Sequence, residues 1–235
     1  MMRNITVITP VAPGHHRQCV HEAIESAQQF PLHVIVLDGP GGGIDPGYNG
    51  HLHVVETERA VGRSSARNVG LQIARSYQSE WSLFLDADDL LLPTAFEDLQ
   101  AAPEADLYYA EHQLEEAMAE GETIPRQSWN HLDISDDASA RRMLLEQSPK
   151  LCKSILPNVS MMVRTERALR CTFDADMSQG EHFDFFIRYI ANPRVKVHMM
   201  KRPLVLVRSR LSSARFGPWS DSAIERYKEW QALPI

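Results

Sequence analysis

Trp81-Ser82-Leu83-Phe84-Leu85-Asp86-Ala87-Asp88-Asp89 is the stretch on which the reading of this chain turns. A mostly apolar run, Trp81 to Leu85, reads as a buried strand and passes directly into three carboxylates. Leu90-Leu91-Leu92-Pro93 follows at once, so the acids sit between two segments that expect burial. Carboxylates this close repel one another, and a hard divalent cation bridging to a phosphate offsets that repulsion. The plainer alternative is a helix N-cap, with Asp88 or Asp89 capping a segment that starts near Pro93. One cap needs one acid, and three are present.

Outward from this stretch, strands and helices alternate. Ile5 to Thr9 is a β-branched run ending at Pro10, and Arg17 to Gln29 places Val20, Ala23, Ile24 and Ala27 on one helical face. Leu32 to Leu37 is nearly all apolar, as expected of a parallel strand covered on both sides, and it ends at Asp38. Gly39 to Gly50 holds six glycines and two prolines and reads as a loop. His51 to Val55 is a third strand. Ser64 to Tyr77 is a helix with a small apolar face that includes Gly70, and Ala95 to Gln100 is a short helix with Pro93 in its first turn. Asp106 to Ala110 is a further strand. The pattern predicts βαβ units, an α/β fold with a mostly parallel central sheet flanked by helices, in a single domain. Beyond an acidic stretch from Glu111, the sequence predicts helices over Asp137 to Gln147 and Phe183 to Ile190. It predicts strands over Ser160 to Arg164, Val195 to Val197 and Leu204 to Val207, and a C-terminal helix over Asp221 to Ile235.

Composition narrows the function. The 235 residues carry 24 Lys and Arg against 31 Asp and Glu, a net charge of −7, which argues against nonspecific nucleic-acid binding. Three well-separated cysteines imply no disulfide framework and fit a reducing compartment. No apolar run approaches the roughly 20 residues that span a bilayer, and the first ten residues are too short and polar for a signal peptide. The expected location is cytoplasmic, with peripheral placement at the inner face of a membrane also compatible.

Open α/β sheets bind ligands beyond the carboxyl ends of their strands, where Asp38, the glycine-rich loop and the acidic cluster all fall. Asp38 can accept hydrogen bonds from a base or ribose, or serve as a turn aspartate before Gly39-Pro40. The glycine-rich loop has neither a GxxxxGK[ST] nor a GxGxxG pattern and reads as a surface loop. Arg63 and Arg67 open a helix and share one face, where an anionic partner, either an acid side chain or a diphosphate, is favoured. In Gly180-Glu181-His182-Phe183-Asp184, Glu181 and His182 stand near a helix start, either able to remove a proton from a hydroxyl, while Asp184 and Arg188 can pair at i,i+4.

In this order the pieces resemble the family 2 glycosyltransferases of the GT-A fold, which are inverting and use nucleotide-sugars. The resemblance is carried by Ile5 to Pro10, Val34 to Asp38, Gly62 to Leu71, Leu83 to Asp89, Phe173-Asp174 and Gly180 to Phe185. It implies one GT-A domain over 1–235. Residues 1–110 would form a nucleotide-sugar-binding half, 111–220 an acceptor-side half and 221–235 a C-terminal helix, with an acceptor-side insertion within 111–150. It further implies that Thr9 and Pro10 line the nucleotide pocket, Asp38 binds the base, with a UDP-sugar expected, and Arg67 helps hold the ribose-phosphate region beside Arg63. Asp86-Ala87-Asp88 resembles the DxD motif, Asp86 near ribose or sugar and Asp88 on Mg2+ or Mn2+. The acceptor would be a hydroxyl of a glycan or lipid-linked glycan, as in polysaccharide biosynthesis.

Two positions depart from the family pattern. A Glu-Asp pair usually begins the acceptor-side helix with its Asp as base; here it reads Glu181-His182, and the base is one of these two, with Glu181 the first expectation. A His near the end of the catalytic domain is replaced by Arg210. Arginine stays protonated and offers no lone pair to a metal, but it can fork onto a diphosphate. Two alternatives remain at this point. A sugar-phosphate nucleotidyltransferase would share the α/β layout, yet Pro10 to Gly14 lacks the basic glycine loop such enzymes carry after the first strand. A catalytically silent nucleotide-sugar-binding domain would explain the departures but not the retained acids and arginines.

Overall fold

A computed structural model of the chain describes residues 2–41, 44–115, 161–177 and 180–208, with backbone alone at 112–115. The helices expected over 137–147 and 221–235, and Arg210, lie outside these residues. The described elements run β1 (Ile5–Val11), α1 (Arg17–Ser26), β2 (Leu32–Leu37), β3 (Gly47–Tyr48), β4 (Leu52–Glu56), α2 (Arg63–Ser76) and β5 (Trp81–Phe84). They continue β6 (Leu90–Leu91), α3 (Ala95–Ala101), β7 (Leu107–Glu115), β8 (Met161–Arg164), a one-turn α4 (Thr165–Ala168), α5 (Glu181–Ile190) and β9 (Val197–Arg208).

The strands form a single sheet of order β3-β4-β2-β1-β5-β8-β7-β9-β6. The expected parallel sheet is present as the block β4-β2-β1-β5. The sheet as a whole is mixed, because β8 enters antiparallel between β5 and β7, while β3 and β6 close the two edges antiparallel.

Alternate residues of the strands feed opposite faces, as the pleat requires. Ile8, Phe84, Tyr109 and Met161 join Leu71 and Ala74 of α2 and most of α5 on one side. Val7, Leu83, Tyr108 and Met162 join Ala23 of α1 and Leu99 of α3 on the other. A Cβ at Gly70 would lie 2.3 Å from Cγ2 of Ile8, so glycine there lets α2 sit directly on β1.

Three expectations are corrected. β1 runs through Pro10 to Val11 and does not stop at the proline. The O of Ile8 accepts from Leu85 N–H and that of Val11 from Asp38 N–H, so even-numbered residues of β1 face β5. Pro10 therefore turns its missing donor to the side where the β1–β5 pairing has already ended at Ile8 and Phe84, and no ladder bond is lost. Pro93 precedes α3 rather than lying in its first turn, since Thr94 is the N-cap. The two short C-terminal strands are one, β9, which pairs with β7 in two registers: Ala110 opposes Met200, then His112 opposes Val205. The extra residues around Pro203 are absorbed as an irregularity between them.

Candidate active site

The carboxyl ends of β1, β2 and β5 and the starts of α2 and α5 meet at one end of the sheet. Both helices begin on a glycine in the left-handed region, Gly62 with φ 87° and Gly180 with φ 73°, a conformation open to glycine at little steric cost. Asp38 holds the first of these entries. Its carboxylate accepts the backbone N–H of Val61 at 2.5 Å and of Gly62 at 3.1 Å, so this buried acid fixes the approach to Arg63.

Arg67 is fully buried, and its guanidinium bridges the two halves of the site. Nη2 donates to Asp86 Oδ1 at 2.8 Å and Nη1 to Glu181 Oε1 at 3.2 Å. Its carbon lies 5.4 Å from the centroid of Phe173, which stacks on Phe185 at 4.2 Å and is anchored by both backbone groups to Asn68. Arg63, half-exposed on the same helix face, reaches the same oxygen of Glu181 at 3.6 Å. Both arginines thus have Glu181 of α5 as an acidic neighbour, and Arg67 has Asp86 as well.

Glu181 and His182 are both buried at the head of α5. Burial pushes the Glu181 carboxyl up, but the positive charge of a protonated His182 and of Arg67 and Arg63 outweighs it and holds the group below its ordinary value. Burial, reinforced by Arg67, pushes His182 down to about 4. His182 is therefore neutral at neutral pH, where the two arginines and a backbone hydrogen bond hold the Glu181 carboxyl down. Nδ1 of His182 stands 3.6 Å from Glu181 Oε1, and its buried Nε2 has no hydrogen-bond partner among the described residues.

Oxygens of Asp86, Asp88 and Asp89 lie within 4.8 Å of one another. Three hard oxygen donors this close are compatible with Mg2+ or Mn2+. Asp86 and Asp88 are partly exposed; Ala87 between them is buried against Val11 and Ile35. Asp89 is fully buried and turned towards β9, where its Oδ1 accepts the backbone N–H of Arg208 at 3.0 Å. Arg208 donates from Nε to the carbonyl of Asp88 at 2.5 Å and pairs with Glu22. The turn after β5 is thereby tied to β9 and α1.

The structure brings Arg63, Arg67, Asp86, Asp88, Glu181 and His182 into one cluster. Thr9 and Pro10 are buried within β1, and Thr9 Oγ1 lies 2.9 Å from Nε2 of His33, which burial pushes down to about 3. Asp89 and Arg208 are structural members of the site that sequence reasoning did not single out. Asp89 is legible in the sequence only as one of three acids or as a cap, and nothing local pairs it with a residue as distant in the chain as Arg208.

Residues 7–148, more than half of the chain, match the family model for glycosyl transferase family 2. No curated protein matches the chain in sequence. Among solved structures, residues 1–349 of S. aureus TarS in complex with UDP-GlcNAc superpose with a TM-score of 0.68 at 18% identity, covering 98% of this chain and 66% of that one. GalNAc-T7 with UDP, GalNAc and Mn2+ gives 0.66 at 13% identity, over 97% and 47%. The inositol-1-phosphate CTP transferase of T. maritima gives 0.53 at 12%, over 98% of each chain. Against TarS 1–349 with UDP, the chain spans 60% of that protein's length. These likenesses establish a GT-A-like architecture. No helix of the described residues is long and apolar enough to cross a membrane. The chain belongs to glycosyl transferase family 2.

Proposed function

We propose that this family 2 enzyme moves a sugar from a uridine diphosphate sugar to a hydroxyl of a glycan or lipid-linked glycan, inverting the anomeric carbon. One observation carries the reading. Asp86, Arg67 and Glu181 form an unbroken ionic chain, so the acids after β5 and the first turn of α5 are held side by side. That is the arrangement needed to hold a charged donor beside a group that takes a proton. TarS, solved with UDP-GlcNAc, and GalNAc-T7, solved with UDP and Mn2+, support the donor class.

In this reading Asp38, at the end of β2, faces the base, and a carboxylate suits the N3–H of uracil. Asp88, with Asp86 beside it, would hold Mg2+ or Mn2+, which supplies positive charge against the donor diphosphate. Arg63 and Arg210 are assigned to the diphosphate, and Thr9 and Pro10 to the floor of the nucleotide pocket. The acceptor oxygen attacks the anomeric carbon as the bond from that carbon to the diphosphate oxygen breaks, and UDP leaves with the electron pair. The hydroxyl proton passes to the Glu181–His182 pair. Against the first expectation of Glu181, Nε2 of His182 is taken as the receiving atom, a reading supported by its lack of another hydrogen bond among the described residues and by the sharing of Glu181 Oε1 between two arginines. A lipid-linked acceptor would place the reaction at the inner face of a membrane.

The test is UDP release from a panel of UDP-sugars with Mn2+, together with calorimetry of UDP, GDP, CDP and ADP. UDP is expected to bind most tightly. Asp88→Asn is expected to abolish the Mn2+-dependent part of that affinity. Preference for another nucleotide rejects the donor assignment, and unchanged Mn2+-supported binding rejects the metal ligand.

A further inference from the structure

A hollow of 550 Å3 opens between β8, α4 and the far end of α5. It lies at the opposite end of the sheet from the acidic cluster, since Arg164 on its wall pairs with Trp81, the first residue of β5, whereas Asp86 follows the last. Five arginines line it: Arg164, Arg167, Arg170, Arg188 and Arg194. In a chain of net charge −7 this concentration of one sign is a local exception.

Three of the five are tied to acids. Arg164 pairs with Glu80 and Glu104 and lies over the ring of Trp81 at 4.1 Å. Arg188 pairs with Asp184 at 2.5 Å, and Arg167 stands 3.5 Å from Asp106. Glu166, also on the wall, is engaged by Arg75 at 3.2 Å. Arg170 and Arg194 have no acidic partner among the described residues, and both are exposed. Cys171 is held neutral by burial, which pushes its thiol up, so it adds no negative charge. The carbonyl end of α5 works against an anion here, but by only half an elementary charge or so. Guanidinia lining one hollow, two of them without an acidic partner among the described residues, favour an oxyanion that takes two parallel hydrogen bonds from one fork.

The geometry points to a second ligand site in this hollow, one that binds a phosphate group, either on a small soluble molecule or on a lipid headgroup, through Arg170 and Arg194. Its volume falls within the range of small-ligand pockets.

The experiment needs no sugar donor, so it stands or falls separately from the transferase reading. The full chain is titrated with inorganic pyrophosphate in EDTA, alone and with saturating UDP. In a second arm it is sedimented with phosphatidylcholine vesicles with or without phosphatidylglycerol. The variant is Arg170→Ala/Arg194→Ala, two exposed positions whose loss leaves the core intact. Pyrophosphate binding that persists under UDP and weakens about tenfold or more in the variant supports a soluble ligand. Phosphatidylglycerol-dependent sedimentation lost in the variant, with no pyrophosphate binding, supports a headgroup. Binding of neither probe, equal binding by the variant, or displacement of pyrophosphate by UDP overturns the proposal.

Discussion

Oε1 of Glu181 accepts from Arg67 Nη1 at 3.2 Å and lies 3.6 Å from the charged Nε of Arg63, with the neutral ring of His182 also 3.6 Å away at Nδ1. An oxygen so surrounded by positive charge is a poor proton acceptor, because its carboxyl is held below its ordinary value. The imidazole beside it is neutral, and although burial lowers its proton affinity as well, its buried Nε2 has no other hydrogen-bond partner among the described residues. With donor and acceptor in hand, His182→Ala is expected to lower kcat by about 10²–10⁴-fold, the usual worth of a general base, with UDP affinity nearly unchanged. Glu181→Gln keeps the shape and removes the charge, and a smaller fall in kcat is expected. A larger loss in Glu181→Gln than in His182→Ala makes the carboxylate the base, and normal turnover in both removes the pair from the chemistry. Glu181 and His182 were legible as a pair because they are adjacent in the chain. The bridge from Arg67 was not, since its partner lies 114 residues away, and the hold of Arg208 on Asp89 spans 119. Sequence spacing reports neighbours on one element and is silent on what two elements bring together.

Elements whose residues repeat at their own period were the most readable. β2 has the limits expected, α2 is shifted by one residue at each end, and β5 ends one residue early. The two-residue β6 has no period to read; it exists because Leu90 and Leu91 pair with Leu206 and Val205. β9 looked like two strands because Lys201-Arg202-Pro203 interrupts its apolar pattern, and only the partner strand β7 carries the ladder across. Gly70 was visible as part of a small helix face, and its packing gives that smallness a cause. In Gly70→Ala a new Cβ 2.3 Å from a methyl of Ile8, itself buried and stiff at Cβ, must displace either β1 or α2. Overpacking of this kind is destabilising by about 1–3 kcal/mol, against about 1 kcal/mol gained in helix propensity. A net lowering of the urea midpoint is expected, together with weaker UDP binding as Arg63 and Arg67 move with α2. A midpoint at or above wild type would mean the two elements can part freely.

For the whole molecule, two buried histidines set a limit in acid. Burial pushes His33 from 6.5 to about 3 and His182 from 6.5 to about 4. Both are neutral in the folded state, whereas the unfolded chain takes up a proton at each below its ordinary value. The unfolded state therefore binds more protons across this window, and stability present above about pH 6.5 is lost as pH falls towards about 4. Glu181, held below its ordinary value, acts in the same direction as it protonates. Each fully differential group contributes a slope of up to about 1.4 kcal/mol per pH unit. Urea midpoints of the metal-free protein at pH 7, 6, 5 and 4 should fall steadily, and His33→Gln should flatten the decline. A level profile down to pH 5 would show that these rings are protonated inside the fold.

The sheet order has a consequence for how the chain acquires its shape. The parallel block β4-β2-β1-β5 is drawn entirely from residues 5–84, each strand joined to its neighbours by one helix or one loop pair. The other half depends on distant closures: β5 waits for β8 some eighty residues on, and β7 for β9 about ninety on. Loop closure has to precede the contacts that reward it, so long-range pairings form late. A ribosome releasing the chain from its N-terminus would therefore present a half-sheet with β5 as an open edge, the backbone of Glu80 and Ser82 unpaired on that side until β8 emerges. Pulse-labelled hydrogen exchange during refolding should protect β1 and β2 before β7 and β9. Truncations ending between 84 and 160 should aggregate through that edge, more readily than longer ones that carry the strand which covers it.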